Sequence, residues 1–434
     1  METADLYALF RKYPSVTTDS RMCSKGSIFF ALKGERFNGN LFAEKALEAG
    51  CAYAVVDERS ENEPADDRII VVDNVLTTLQ KLANFHRRKL KIPIIGITGT
   101  NGKTTTKELI AIALSREFKV AYTQGNFNNH IGVPLTLLSM NKSHEIGVIE
   151  MGANHPGDIR ELCEIAEPNY GLITNVGKAH LEGFVSFENV IKTKGELYDF
   201  IREHEGKVFV NKDNHILYEL SEDMDRILYG KNDPTLFASG SITDATPFLE
   251  FDWSFFDSSY RVKTSLVGEF NFDNAIAAVA VSKFFGINAE RISAALEEYE
   301  PQNHRSQFKR TERNDLIIDA YNANPTSMKT SLEFFTSVPS SLPKVVILGE
   351  MKELGEISGD EHQRMIDFLR EQSYAGVYLV GNNFREMIPA SSSYHFFEDV
   401  EALIKSLHEE PLTGYYILLK GSHSVHLEKV VDYL

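Results

Sequence analysis

Gly99-Thr100-Asn101-Gly102-Lys103-Thr104-Thr105 follows the apolar run Ile94–Thr98 and precedes a helical pattern. Small residues there let backbone N–H groups close around phosphate oxygens, and a helix N-terminus adds a positive field. Lys103 can reach outer phosphates, and the Thr104 hydroxyl can ligate Mg²⁺. The general phosphate-loop spacing asks for glycine five residues before Gly102, where this chain has Ile97. A plain strand-turn-helix with a surface lysine is the bland alternative. Gly-Lys-Thr directly after an apolar strand favours phosphate.

A phosphate site of this kind also needs carboxylates for metal. EIGVIE places Glu150 at the C-terminal end of an apolar strand, where α/β sheets build their sites. A solvated strand-end glutamate fits the same position. His180, in ITNVGKAHLEGF, follows another strand end. It could be a metal ligand, a cap or a packed core residue. Lys192 and Lys194 share a helical pattern, VIKTKGELYDF, and residue physics alone does not choose between them.

The elements that must position these residues fall into three units. Residues 1–91 hold the strands GSIFFALKG, AYAVVD and RIIVVD, a helix ending at Gly50, and the helix VLTTLQKLANFHRRKL. Residues 92–300 alternate short apolar runs with helical segments, which argues for a largely parallel, doubly wound sheet. There FLEFDWSFFDSSYRVKTSL is aromatic and reads as a small antiparallel element. Residues 301–434 repeat the α/β alternation with LIIDAYN, KVVILGEM, GVYLVG and YYILLKGS as strands, and predict helices at DEHQRMIDFLREQS and SVHLEKVVDYL. The fold class is α/β with three domains.

Composition sets the outer limits. The chain has 434 residues, 43% hydrophobic and 25% charged, which is ordinary globular material. Its 45 Lys and Arg against 62 Asp and Glu give a formal charge of −17, which disfavours nucleic acid and anionic membrane surfaces. A polyanionic substrate then needs local cations or metal. Three cysteines without a CxxC pair suggest neither a disulfide framework nor a zinc cluster. The first residues, METADLYALFRKYP, lack a signal-peptide pattern, and no apolar run has the length of a membrane span. Cytosol is the default compartment. A GTPase would want Asn-Lys-x-Asp; Asn211-Lys212-Asp213-Asn214 misses the final residue.

Taken together, these motifs resemble the Mur ligases, the ATP-dependent amide-forming enzymes of peptidoglycan precursor synthesis. TGTNGKTTT is similar to that family's ATP loop, and the resemblance spans nearly the whole chain. TQGNFNNHIGVPLTLL, EMGANHPGDI, NVGKAHLEGF with KGEL downstream, and DAYNANPTSM look most like the branch that adds D-alanyl-D-alanine. The diaminopimelate-adding branch typically carries Asp-Asn-Pro-Arg where this chain reads NANPTS.

The resemblance implies roles for individual residues. Glu150 and His180 match magnesium ligands, and Lys194 matches a lysine carbamylated by CO₂, leaving Lys192 as a surface residue. Asn271 and Asn274 match adenine-side asparagines, and Arg305 an arginine reaching ATP from the third domain. Asp319 and Asn322 match residues near the ribose and the reacting centre, and Lys420 and Ser422 a motif near peptide and phosphates. Asn128 and Asn129, in NFNNHIG, belong with the substrate-side residues. Ser20 and Arg21 match the UDP-binding segment, as does FNGN with Asn38. Two positions depart: His423 stands where the family usually has Arg, and Asn40 where many relatives have His.

The implied chemistry is acid–amine ligation driven by ATP cleavage to ADP and phosphate, with two Mg²⁺ and an acyl-phosphate intermediate. UDP-MurNAc-tripeptide and D-Ala-D-Ala are the implied substrates of a monomer that binds neither nucleic acid nor membrane. Closure of the third domain is expected, since the ATP loop and Arg305 lie on different units. The competing readings are a P-loop switch, another ligase of the superfamily such as a folylpolyglutamate synthase, and a nucleotide-binding regulator without catalysis.

Overall fold

The computed structural model describes residues 1–434 apart from 36, 60–65, 180, 257, 303–304, 386 and 388–392. His180, one of the expected metal ligands, therefore lies outside the described residues.

Three separate α/β sheets organise the chain. The first contains β1 (Ser15–Thr17) and β2 (Ser27–Phe30). A short hairpin, β3 (Lys33–Gly34) and β4 (Phe37–Asn38), projects from it, followed by β5 (Tyr53–Val56) and β6 (Ile69–Val71). Strand order is β1-β2-β5-β6, all parallel. Helix Val75–Leu90 follows, and the Asn74 side chain caps it by accepting the Thr77 N–H. Its buried positions Val75, Leu79, Leu82, Ala83 and His86 recur at helical spacing. That face enters a core shared with Val133, Leu137, Ile159 and Leu162 of the second unit. Arg87 fastens the same helix by donating to the carbonyls of Ala166 and Glu167. The basic cluster at its end is thus partly an interdomain clamp.

The second sheet has nine strands. They are β7 (Ile94–Thr98), β8 (Val120–Tyr122), β9 (Ile146–Glu150), β10 (Tyr170–Ile173), β11 (Lys207–Asn211), β12 (Asp225–Lys231), β13 (Ala238–Asp244), β14 (Phe248–Phe255) and β15 (Ser258–Val267). Their order is β15-β14-β13-β12-β11-β10-β7-β9-β8. Pairing is parallel from β8 to β13 and antiparallel through β14 and β15. The expected antiparallel element is therefore the continuation of the main sheet. Strand β7 lies between β9 and β10 with every residue buried, which explains its unbroken apolar run. Strands β12 and β13 escape the apolar pattern because each mixes buried with half-buried or exposed positions.

The third sheet holds β16 (Gln307–Arg310), β17 (Asp315–Asp319), β18 (Lys344–Gly349), β19 (Gly376–Val380), β20 (Tyr394–Phe397) and β21 (Tyr416–Lys420). Its order is β16-β17-β21-β18-β19-β20, with only β16 antiparallel. Helix Ser358–Arg370 forms as predicted. The tail does not form the predicted α-helix. It makes two 3₁₀ turns, His423–Val425 and Leu427–Tyr433, broken at His426 in a left-handed conformation (φ 59°). Leu427, Val430, Val431 and Leu434 all reach the core from that tighter winding. Among the described residues no helix is long and apolar enough to cross a membrane.

Candidate functional site

The C-terminal ends of β7, β9 and β10 meet those of β17 and β21 at a cavity of about 790 Å³. Its walls come from the second and third units. All of Thr100–Thr105 line it, as do Asn128, Asn129, Glu150, Asn271 and Asn274. From the third unit come Arg305, Asp319, Asn322 and Lys420. Open sheets collect ligands at this edge because strand ends and helix starts leave backbone groups unpaired there.

The phosphate loop is held in shape by neighbouring strand ends. Gly102 is the N-cap of helix Lys103–Leu114 at φ 79°, and a Cβ there would stand 2.4 Å from Asn274 Oδ1. Gly99 has φ 142°, and its Cβ would meet Thr174 Oγ1 at 2.0 Å. Both positions need glycine on conformation and on space. Asn175 fixes the loop from β10: its carbonyl accepts the Thr100 N–H and its Oδ1 the Asn101 N–H, each at 2.9 Å. Thr174 Oγ1 donates to the Asn101 carbonyl at 2.6 Å. Sequence reasoning passed over Thr174 and Asn175, although two polar residues closing an apolar strand were a usable signal.

Lys103 curls back on its own loop, donating to the carbonyls of Gly99 at 2.8 Å and Thr100 at 3.1 Å. Burial lowers its pKa below the ordinary lysine value, Glu150 opposes that shift, and Arg305 adds to it. Glu150, 1% exposed, sits at the end of β9. Its Oε1 accepts from Thr104 Oγ1 at 3.2 Å and Asn128 Nδ2 at 2.8 Å, and its Oε2 is buried without a hydrogen bond. Asn128 therefore orients a carboxylate. Asn129 accepts the N–H groups of Ile131 and Gly132 and starts the next helix.

Lys194 is 3% exposed on helix Phe187–Glu203, with its ammonium 5.5 Å from the Phe184 ring centroid. Burial, with the nearby Lys103 charge second, lowers its pKa to about 7. It is not among the residues that line the cavity. Ser422 is also off the cavity, its Oγ accepting the Lys352 N–H at 3.1 Å.

The adenine-side expectation falls on a buried chain of amides. Asn274 Nδ2 donates to Asn271 Oδ1 at 2.9 Å, Asn271 Nδ2 to the Val267 carbonyl at 2.9 Å, and Thr106 Oγ1 to Asn274 Oδ1 at 3.0 Å. Across the cavity the Arg305 guanidinium stacks 3.6 Å from the Tyr321 ring centroid, and Tyr321 stacks on His423 at 5.2 Å. Lys420, 1% exposed, donates to Asp319 Oδ2 at 2.6 Å and to the Asn322 carbonyl at 3.2 Å. Ser331 Oγ also donates to Asp319 Oδ2 at 3.0 Å, and the Ser306 N–H to Oδ1 at 3.4 Å.

Ser20, Arg21 and Asn38 stand apart in the first unit. Arg21 makes a bidentate pair with Asp19, and Asn38 donates to Glu58 at 2.8 Å. Asn40 accepts the Asp57 N–H and donates to the Asp57 carboxylate, bracing the hairpin base.

Asn324 links two units. Its Oδ1 caps helix Pro325–Ser337 by accepting the Ser327 N–H, and its Nδ2 donates to Asn101 Oδ1 at 2.8 Å. Asn324→Ala is expected to cost about 1 kcal/mol of stability and to raise the KM for ATP. Asn324→Ser keeps a capping oxygen but cannot span to Asn101, so it should retain most of the stability and still show the higher KM. Wild-type KM in both variants would rule out the link.

Comparison with known proteins places this geometry. Three family models match in order: "Mur ligase family, catalytic domain" over residues 12–87, "Mur ligase middle domain" over 97–282, and "Mur ligase, glutamate ligase domain" over 304–423. A Bacillus subtilis UDP-N-acetylmuramoyl-tripeptide–D-alanyl-D-alanine ligase is 32% identical over 96% of this chain and 92% of its own length. The crystal structure of MurF from Acinetobacter baumannii superposes with a TM-score of 0.85 at 30% identity, covering 96% of this chain and 92% of that one. MurF ligase from Thermotoga maritima, in complex with ADP, gives 0.83 at 30% identity over 96% of each chain.

Proposed function

The chain belongs to the Mur ligase family, and from that premise we propose that it joins D-alanyl-D-alanine to a UDP-N-acetylmuramoyl-tripeptide at the expense of ATP, in peptidoglycan precursor synthesis. One observation carries the reading. The phosphate loop, Glu150, Arg305 and the Asp319–Lys420 pair, drawn from two units, line a single cavity. ATP and an acceptor carboxylate can meet there.

The tripeptide's terminal carboxylate attacks the γ-phosphorus of ATP, the bond to the β-phosphate oxygen breaks, and ADP leaves. The resulting acyl phosphate is attacked at its carbonyl by the free amine of D-Ala-D-Ala. Phosphate departs, and the amine loses its proton. Activation is required because a free carboxylate is a poor electrophile at neutral pH.

Catalysis by this chain is positioning and charge stabilisation. Loop N–H groups and the start of helix Lys103–Leu114 face the phosphates. Lys103 exchanges its two loop carbonyls for phosphate oxygens of ATP. Arg305, already placed over the Tyr321 ring, presents its guanidinium from the third unit. Asp319, gripped by Lys420 and Ser331, is fixed for a ribose hydroxyl.

Thr104 and Glu150 fit a hard divalent cation: both are oxygen donors, and the buried Glu150 Oε2 has no hydrogen bond. Among the described residues no three His, Cys, Asp or Glu side chains cluster for a metal; with the nucleotide bound, its phosphate oxygens would join Thr104 and Glu150, and the family resemblance adds His180 and a carbamylated Lys194 as further donors. A Mg²⁺ held by these residues would supply neutralisation of the negative charge that gathers during phosphoryl transfer. Lys194 becomes an oxygen donor when its neutral amine adds to CO₂, forming an N–C bond and releasing a proton.

The test is phosphate release from ATP with purified UDP-MurNAc-tripeptides, each with and without D-Ala-D-Ala. Release is expected only with both present. Release without either substrate would favour a nucleotide switch. Release with glutamate and a folate instead would favour a folylpolyglutamate-type ligase.

A further inference from the structure

Lys107 lies one helical turn beyond Lys103 and plays no part in the chemistry above. A lysine on a helix is ordinarily solvated, yet the Lys107 side chain is 1% exposed. Its ammonium stands 3.8 Å from Glu150 Oε2 and 3.6 Å from Glu108 Oε1. The Tyr122 ring centroid is 5.8 Å away. On its far side Glu108 Oε2 accepts the Tyr299 hydroxyl at 2.5 Å. Glu150 is unevenly partnered, since Thr104 and Asn128 both donate to Oε1 and nothing donates to buried Oε2. Among the described residues, Lys107 is the cation that pairs with Oε2.

From this arrangement we infer that Lys107 is a positioning residue: a resident countercharge that holds Glu150 ready for a divalent cation and yields Oε2 to it. A buried carboxylate without a countercharge is strongly disfavoured. A hydrogen-bonded ion pair would remove that penalty but close Oε2 to metal. The observed separation lies beyond hydrogen-bond range, where a direct bond is lost but Coulomb attraction persists. A cation arriving at Oε2 therefore breaks no hydrogen bond. Lys107 is not stranded by it, because Glu108 remains as its partner. The inference rests on the reading that Glu150 holds a divalent cation.

The test is thermal unfolding of the full-length, nucleotide-free protein during MgCl₂ titration at constant ionic strength. Wild type, K107M, K107R and E150Q are compared. K107M is expected to melt below wild type without Mg²⁺ and to recover as Mg²⁺ is added. Its Mg²⁺ midpoint should be about tenfold lower, because no resident cation competes. K107R keeps the charge and should follow wild type. Recovery of folded K107M only in the presence of Mg²⁺ would be the same result in stronger form. Should K107M not fold under either condition, K107Q is read in its place with the same expectation. Equal midpoints in wild type and K107M, with the response lost in E150Q, would overturn the inference and leave the Glu150 site standing. An unchanged Mg²⁺ response in E150Q would overturn both.

Discussion

Lys194→Ala is expected to lower ATP-dependent amide formation by about 10²–10³-fold, the scale for losing a group aimed at developing charge. A short carboxylic acid such as acetate should restore part of the rate. The amine sits 3% exposed beside an aromatic ring, and no carboxylate among the described residues forms an ion pair with it. An ordinary structural lysine would be paired or solvated. Burial instead favours the neutral amine, with a pKa of about 7, and the neutral amine is the form that adds to CO₂. Lys194→Met keeps the aliphatic stem, so it should match alanine in activity while holding the packing. Phosphate release and product formation, with and without added acetate, measure the effect. Full activity in either variant would sink the carbamate.

Lys103→Ala should lower kcat/KM for ATP by about 10²–10³-fold, with a smaller effect on folding. Two functions meet at this residue. Without nucleotide its ammonium satisfies the Gly99 and Thr100 carbonyls, and losing those bonds should destabilise the protein by about 1–2 kcal/mol. With nucleotide the same ammonium must leave them for phosphate. Its lowered pKa follows from burial, with Glu150 opposing the shift, and polyphosphate would add further negative charge beside it. Lys103→Arg retains charge, but its planar fork does not fit a loop built around a point charge, so it should rescue stability better than activity. Steady-state kinetics and thermal unfolding separate the two functions. A kcat/KM within twofold of wild type in Lys103→Ala would exclude the role at phosphate.

The chemistry of the loop was legible in the chain because it is local. Glycines at 99 and 102, a lysine and a threonine at fixed offsets act within seven residues, and an apolar strand before them is enough to place them. Helix Val75–Leu90 was legible for the same reason: its caps and period are short-range. Glu150 could be proposed from its place at a strand end, but whether it faced water or was buried could not. That depended on Thr104, Asn128 and Lys107, which are distant in sequence or hidden on a helix whose exposed face the pattern does not reveal. The link from Asn324 to Asn101 is also tertiary, joining residues more than two hundred positions apart. So is the surrounding of Ser422, which the resemblance sets near the peptide substrate and whose hydroxyl accepts the Lys352 N–H. The tail was misread because its apolar residues fit an α-helical pattern, and only packing against the third sheet selects the tighter 3₁₀ winding. By itself the sequence determined the glycine turn between strand and helix, the α/β alternation and the family resemblance, because these rest on local geometry and residue order. Tertiary structure alone decided which buried charges stand side by side, because a countercharge is chosen by distance in space.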